Sequence, residues 1–238
     1  GVLVVAEAAA GQIRATGGGI VFPPVGWVAN MVVSPWHQGA GLGRAIFDHI
    51  TAWLEQRGAT RLELEATAAG RHLYERSGFT ADWDSISAVR VEPLAPVVPD
   101  AAVAPLAGGD WAGVAALDFA ATGSDRLRLL RRLGADPVVR LSLVLRGDAG
   151  GVRAYGMLRD DRLGPLVADS PMAACRLARV LLASCEPGFR VAAGHPSTAP
   201  FWRELGFAIE PFDTRMARGS LVRARREMVF AMVNAGVG

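Results

Sequence analysis

The sequence predicts an α/β chain of mixed sheets, folded as two tandem units of similar plan, and three observations carry that expectation. Strand-like and helix-like patterns follow one another in similar order in the two halves of the 238 residues. The corner "LYERSGF" at 73–79 returns as "FWRELGF" at 201–207, about one domain length later when Tyr74 is set against Trp202. Between them "PLAPVVPDAAVAPLAGG", residues 93–109, is rich in Pro, Ala and Gly and poor in charge, which marks a linker. The expected division is therefore 1–92, a linker at 93–109, and 110–238.

In the first half, "VLVVAE", "GQIRATGGGIVF" and "WVANMVVSP" read as strands. A helical stripe then begins at Leu42, with Ala45, Ile46, Ile50, Trp53 and Leu54 at three- and four-residue steps, and Gly58 supplies its stop. "TRLELEA" is a short strand, "AGRHLYERSG" a helix and "DSISAVRVE" a strand. The second half opens with two helical patterns, "DWAGVAALDFA" and "SDRLRLLRRLG", the latter with Ser124 placed to cap it. "VVRLSLVL", "VRAYGML" and "LGPLVA" follow as strands. "SPMAACRLARVLLASC" is then a helix with Ser170 as cap and Pro171 in its first turn. "FRVAAGH" is a strand, and "TAPFWRELG" a helix running into "FAIEPF".

Composition narrows the function classes. Hydrophobic residues make up 51% and charged ones 20%, which suits a packed globular chain. No apolar run reaches the ~18 residues of a membrane span, and the start lacks the basic region of a signal peptide. Cys175 and Cys185 fall on one predicted helix without a disulfide or zinc spacing. No membrane is expected as a partner, and a reducing cytoplasm is the expected compartment. A net charge of +2 is too small for a nucleic-acid-binding surface. All 25 basic residues are arginine, which excludes Schiff-base chemistry and a Walker A lysine together.

The most informative segment is "MVVSPWHQGAGLGRAIFDHI", residues 31–50. A strand ends at Ser34-Pro35, and Gln38-Gly39-Ala40-Gly41-Leu42-Gly43 leads directly into a helix. Glycines let backbone N–H groups converge with no Cβ in the way, and the helix start adds unpaired donors and partial positive charge. That is a pocket for a phosphate or pyrophosphate, to which Arg44 adds a charge-assisted contact. A Rossmann loop would need GxGxxG, whereas the spacing here is GxGxG. The pattern [RQ]xxGx[GA] after a strand ending in Val-x-Pro is met by Gln38, Gly41 and Gly43, behind Val33-Ser34-Pro35.

With that loop, the helix after it and "YERSGF", the sequence resembles the GNAT superfamily of acyl-CoA-dependent N-acyltransferases. The resemblance implies two tandem GNAT-like domains, with acetyl-CoA as cofactor, no metal, and a small-molecule or peptide amine as acceptor. It implies that Met31, Val32 and Val33 run alongside the pantetheine. Residues Gln38, Gly39, Ala40, Gly41, Leu42, Gly43 and Arg44 would then cradle the pyrophosphate. It further implies direct attack in a ternary complex, with Tyr74 as the acid that protonates the departing thiolate. A phenol with a reference pKa near 10 can do so. The oxyanion donor would be a backbone N–H near Val33, where the central strands splay. The base stays open: Glu63 and Glu65 on "RLELEA" read most simply as solvated face residues, and Asp82, Asp84 or a water chain are equal alternatives. The four histidines have no metal-ligand spacing.

The second half resembles the divergent C-terminal domain of tandem GNAT proteins of the YitH type, in "LGPLVADSPMAACRLARVLLA", "FWRELGF" and "FDTRMARG", with Asp118 and Arg126 at motif positions. Where the first half has "SPWHQGAGLGRA", the second has "ADSPMAACRLA" with no glycine, and Trp202 replaces Tyr74. An indole is no proton donor to a thiolate. The second unit is therefore expected to be non-catalytic, shaping an acceptor pocket or an interface. The family's opening strand and two helices are not visible before Gly1, so a preceding segment is expected. Without one, an open sheet edge invites a partner, a second copy in a homodimer included. Two rivals remain: an acyl-CoA-binding module without turnover, and a dimerisation module that binds no CoA.

Overall fold

The computed structural model describes residues 1–9, 11–93 and 98–237, so residues 94–97 of the expected linker lie outside it. In chain order the first elements are β1 (Val2–Glu7), β2 (Ile13–Phe22), β3 (Val25–Val33), α1 (Leu42–Gln56), β4 (Arg61–Ala66), α2 (Ala68–Glu75) and β5 (Thr80–Arg90). Next come β6 (Val103–Pro105), α3 (Trp111–Thr122), α4 (Leu127–Gly134), β7 (Val139–Arg146), β8 (Val152–Arg159), β9 (Leu163–Ala168) and α5 (Pro171–Leu181). The chain ends with β10 (Arg190–Gly194), α6 (Ala199–Glu204), β11 (Phe207–Gly219) and β12 (Val229–Ala231).

These elements form two compact units. One comprises Gly1–Trp83, Asp213–Val222 and Ala235–Val237, and the other Asp84–Phe212 with Arg223–Asn234. The units do not follow chain order, because the far end of the chain supplies pieces of the first. Inside the expected linker, β6 pairs antiparallel with β7, so that part of 93–109 is a sheet edge.

In the first unit β1, β2 and β3 pair antiparallel in sequence, as expected of short connections. β3 and β4 then pair in parallel, but only over 25–27 with 61–63. The far side of β4 pairs antiparallel with residues 214–219 of β11. Alternation in "RLELEA" sends Leu62 and Leu64 to one face, where they join Ile46, Phe47, Ile50 and Leu54 of α1 in one buried cluster. The glycines of "TGGGI" explain how closely α1 lies on β2. A Cβ at Gly17 would stand 2.6 Å from Ile46, and one at Gly19 2.9 Å from Ile50. The helix stops as expected: Gly58, with φ +85°, takes the left-handed position after the cap residue Arg57.

In the second unit the strand order β12-β9-β8-β7-β6 makes an antiparallel sheet, and β10 pairs with the 86–89 part of β5. α5 begins as expected, with Ser170 accepting from the Ala173 N–H and Pro171 in the first turn. Ala174, Leu177, Ala178 and Leu181 form its buried stripe. Ser124 is not the cap of α4. That helix starts two residues later than expected, at Leu127, because Arg126 is turned inward. Its guanidinium grips both oxygens of Asp118, at 3.0 Å from Nε and 2.6 Å from Nη2. Both side chains are 2% exposed, and the Tyr155 hydroxyl also donates to Asp118. Burial opposes the Arg126 charge, but the Asp118 carboxylate outweighs it and holds the guanidinium above its ordinary value. Cys185 lies beyond the end of α5, and both cysteines are free thiols.

Candidate active site

The site of the first unit arises where the central strands part. After 27 and 63 the parallel ladder of β3 and β4 ends. β3 also slips its register against β2: Ala29 faces Gly18 and Val32 faces Thr16, so Asn30 and Met31 together oppose Gly17. Asn30 takes φ +53° there, a left-handed value that asparagine tolerates better than most residues. The resulting cavity of about 190 Å³ has residues 28–31 on one wall. Glu65, Thr67 and Tyr74 form the opposite wall, and residues 235 and 236 close it from the end of the chain.

Tyr74 reaches this cavity from α2, whose first turn is capped by the Thr67 hydroxyl accepting from the Gly70 N–H. Its ring is fixed against Phe47, centroids 5.2 Å apart, and Phe79, at 6.4 Å. The residue is 6% exposed. Burial raises its pKa, and the negative Asp213 adds to the rise. The phenol therefore stays protonated at neutral pH, as a proton donor must.

Both tyrosines of the chain share this direction, since burial and then Asp118 push Tyr155 well above its ordinary value. The expected result of an alkaline titration read by tyrosinate absorbance is little signal near pH 10 in the folded protein, and full signal once unfolded. The folded state holds these protons more tightly than the unfolded state. Stability is therefore unaffected below about pH 10 and falls as pH rises beyond it. Tyrosinate appearing at the ordinary pH in the native protein would contradict the burial described.

The two glutamates of β4 are not solvated. Glu63 is fully buried and the Glu65 side chain is 2% exposed, because two arginines cover that face. Arg61 Nε donates to Glu63 Oε1 at 2.6 Å, and its Nη2 is ion-paired with Asp82. Arg215 Nη1 donates to Glu63 Oε2 at 3.2 Å and its Nε to Glu65 Oε1 at 2.7 Å. The Arg215 guanidinium also lies over the rings of Trp27 and Trp83, at 4.4 and 5.0 Å. Sequence reasoning missed Arg215, which stands in "FDTRMARG" about 150 positions from its carboxylate partners. One signal pointed to it. Arg61, Glu63 and Glu65 share one face of a strand whose other face is buried, and that face has one cation for two carboxylates.

The glycine loop continues from β3. Gly41 is the cap residue of α1 with φ +80°, and Gly39 has φ +78°. A Cβ at either position would meet nothing within 4 Å, so the space in front of the loop is open. Gln38 donates from Nε2 to the Val33 carbonyl at 3.4 Å, and Arg44 pairs with Asp48 at 2.7 Å on the exposed side of α1. Met31 lines the cavity, whereas Val32 is 60% exposed and Val33 faces Ala15 of β2. The strands thus part at 28–31, before Val33. Among the described residues no group of three His, Cys, Asp or Glu residues could hold a metal. No helix among the described residues is long and apolar enough to cross a membrane.

The corresponding corner of the second unit is built differently. Trp202 is fully buried, stacked edge-on with Phe201 and Phe207, and donates its Nε1–H to the Phe230 carbonyl at 3.0 Å. At the start of α5, Ser170 already occupies one backbone donor. Asp169 beside it is bound by Arg153 at 2.8 and 3.0 Å, which holds its carboxyl below the usual range. A carboxylate at this helix start repels a phosphate.

Comparison with known proteins finds one family in both halves of the chain. Residues 1–81 match one family model described as an acetyltransferase (GNAT) domain, and residues 114–231 match a second of the same description. A protein from Pyrococcus horikoshii designated an acetyltransferase superposes with a TM-score of 0.79 at 20% identity, over 95% of this chain and 77% of that one. A GCN5-related N-acetyltransferase from Sphaerobacter thermophilus gives 0.64 at 16% identity, over 93% and 83%. A tandem GNAT protein from the clavulanic acid biosynthesis pathway gives 0.58 at 16% identity, over 89% and 81%. No curated protein matches the chain.

Proposed function

Because the chain belongs to the GNAT acetyltransferases, with one such domain in each half, we propose that its first unit carries acetyl transfer from acetyl-CoA to an amine. The second unit is non-catalytic in this reading. The observation that carries it is the cavity at the parting of β3 and β4, which holds one phenol and one carboxylate at the end of the strand leading to the glycine loop. Acetyl-CoA, when bound, supplies an activated acyl group on a thiol leaving group.

The chain's own residues divide the remaining work. The loop at 38–43 and the first N–H groups of α1 receive the pyrophosphate, in a space that Cβ atoms at Gly39 and Gly41 would fill. Arg44, half-exposed in the first turn, adds positive charge. The bulge at Asn30 and Met31 breaks the ladder with β2, which leaves backbone at the cavity wall for the oxygen that gains charge. Glu65 is the carboxylate that lines the cavity among the described residues. It attracts the amine and takes up its proton, directly or through water. Tyr74 gives its proton to the departing sulfur and recovers one from solvent. Protons therefore balance: one leaves the nitrogen and one reaches the thiol.

The test combines thiol release from acetyl-CoA across an amine panel with calorimetry of CoA binding. Saturable binding with turnover is the expected result. Binding without turnover would favour an acyl-CoA-binding module, and no saturable binding would sink both readings. Gly41→Val is expected to weaken CoA binding by about tenfold or more, since the left-handed backbone costs a side-chain-bearing residue ~1–2 kcal/mol and the new side chain enters the pyrophosphate space. Calorimetry on that variant checks it, and unchanged affinity would remove the loop from the site.

A further inference from the structure

We propose that Arg215 is a positioning residue for the first unit's site, holding Glu65 in the cavity, so that the far end of the chain completes the catalytic unit. This rests on the role given to Glu65 above. Glu65 stands on β4 at the cavity wall, and its Oε1 accepts a bond from Arg215 Nε at 2.7 Å. Arg215 is itself over-determined. Its Nη1 bonds Glu63 at 3.2 Å, Glu63 is also bound by Arg61, and the guanidinium lies over the rings of Trp27 and Trp83. With 4% of the side chain exposed, it has little freedom to move. The ladder of 214–219 against 61–66 places Arg215 directly opposite Glu65, so backbone pairing and side-chain fork fix the same geometry.

A chain of alternating charge therefore runs Asp82, Arg61, Glu63, Arg215, Glu65, and its last member faces the cavity. The rigid fork is suited to spanning two carboxylates; a lysine ammonium would hold one at a time. The consequence for the reaction is orientation. Removing the fork takes away the bond to Oε1 that orients the Glu65 carboxylate, and misplacement by about 1 Å is enough to cost ~10²-fold in rate.

The experiment is a double-mutant cycle on the full chain with Arg215→Met and Glu65→Gln, read as kcat, KM for acetyl-CoA and CoA affinity by calorimetry. Arg215→Met alone is expected to lower kcat by about 10²-fold with CoA affinity within about twofold. In the Glu65→Gln background the same change should alter kcat by less than about twofold, because the group it positions is already gone. If Arg215→Met fails to bind CoA, the cycle is run with Arg215→Lys, which keeps the charge and loses the fork. Equal losses in both backgrounds would overturn the proposal, since a purely structural role is additive. A wild-type chain that binds CoA but turns over no amine would instead overturn the proposed function itself.

Discussion

Replacing Tyr74 by phenylalanine is expected to lower kcat by ~10²–10⁴-fold, the range of a lost general acid, while the affinity for CoA changes by less than about twofold. The ring is held by Phe47 and Phe79, and phenylalanine keeps those contacts. Only the hydroxyl is removed, in a cavity where burial and Asp213 keep it protonated. The loss should therefore fall on the step that needs a proton at sulfur and leave binding intact. Single-turnover thiol release, set beside calorimetry with CoA, separates the two. Full activity in Tyr74→Phe would take the acid role away from this residue, and a parallel loss of binding would make it a packing residue.

Asp118→Asn is expected to cost about 3–5 kcal/mol of stability, as when one partner of a buried ion pair is removed. The change leaves Arg126 charged, 2% exposed and deprived of its counter-ion, and it weakens the acceptor of the Tyr155 hydroxyl. Chemical denaturation of the full chain measures it. The double replacement Asp118→Leu with Arg126→Met serves as control, because it removes both charges together and should recover part of the loss, the buried Tyr155 hydroxyl still lacking its acceptor. A single variant as stable as the parent would mean that the pair is not buried in solution.

Much of the fold was legible because its cues are local. The stripe in α1, the Gly58 stop, the Ser170 cap and the alternation in β4 depend on neighbours within a turn or a strand. The turn of the glycine loop into α1 was legible for the same reason, since left-handed Gly39 and Gly41 are features of the local backbone. Tyr74 could be named from its place in "LYERSGF", and the structure sets it in a cavity. The reading failed where charge was concerned. Alternation puts Glu63 and Glu65 on the polar face of β4, and a polar face reads as a solvated one. The face is instead covered by Arg215, from a strand that follows β4 only after the whole second repeat. Ser124 was misplaced for a related reason: Arg126 turns inward to Asp118 and delays the helix.

By itself, then, the sequence determined the two-fold repeat, the order of strands and helices apart from β6 and β12, and the difference between the halves: loop glycines and a tyrosine in one, their absence in the other. Those features act through backbone conformation and side-chain type, which a short stretch carries within itself. Only the tertiary structure decided which carboxylate meets Tyr74 at one cavity, where β3 bulges to open it, and that residues 213–222 and 235–237 belong to the first unit. Those depend on strand pairing between distant segments. The free energy of that pairing comes from buried surface and matched charge across the whole unit, and no local pattern records its partner.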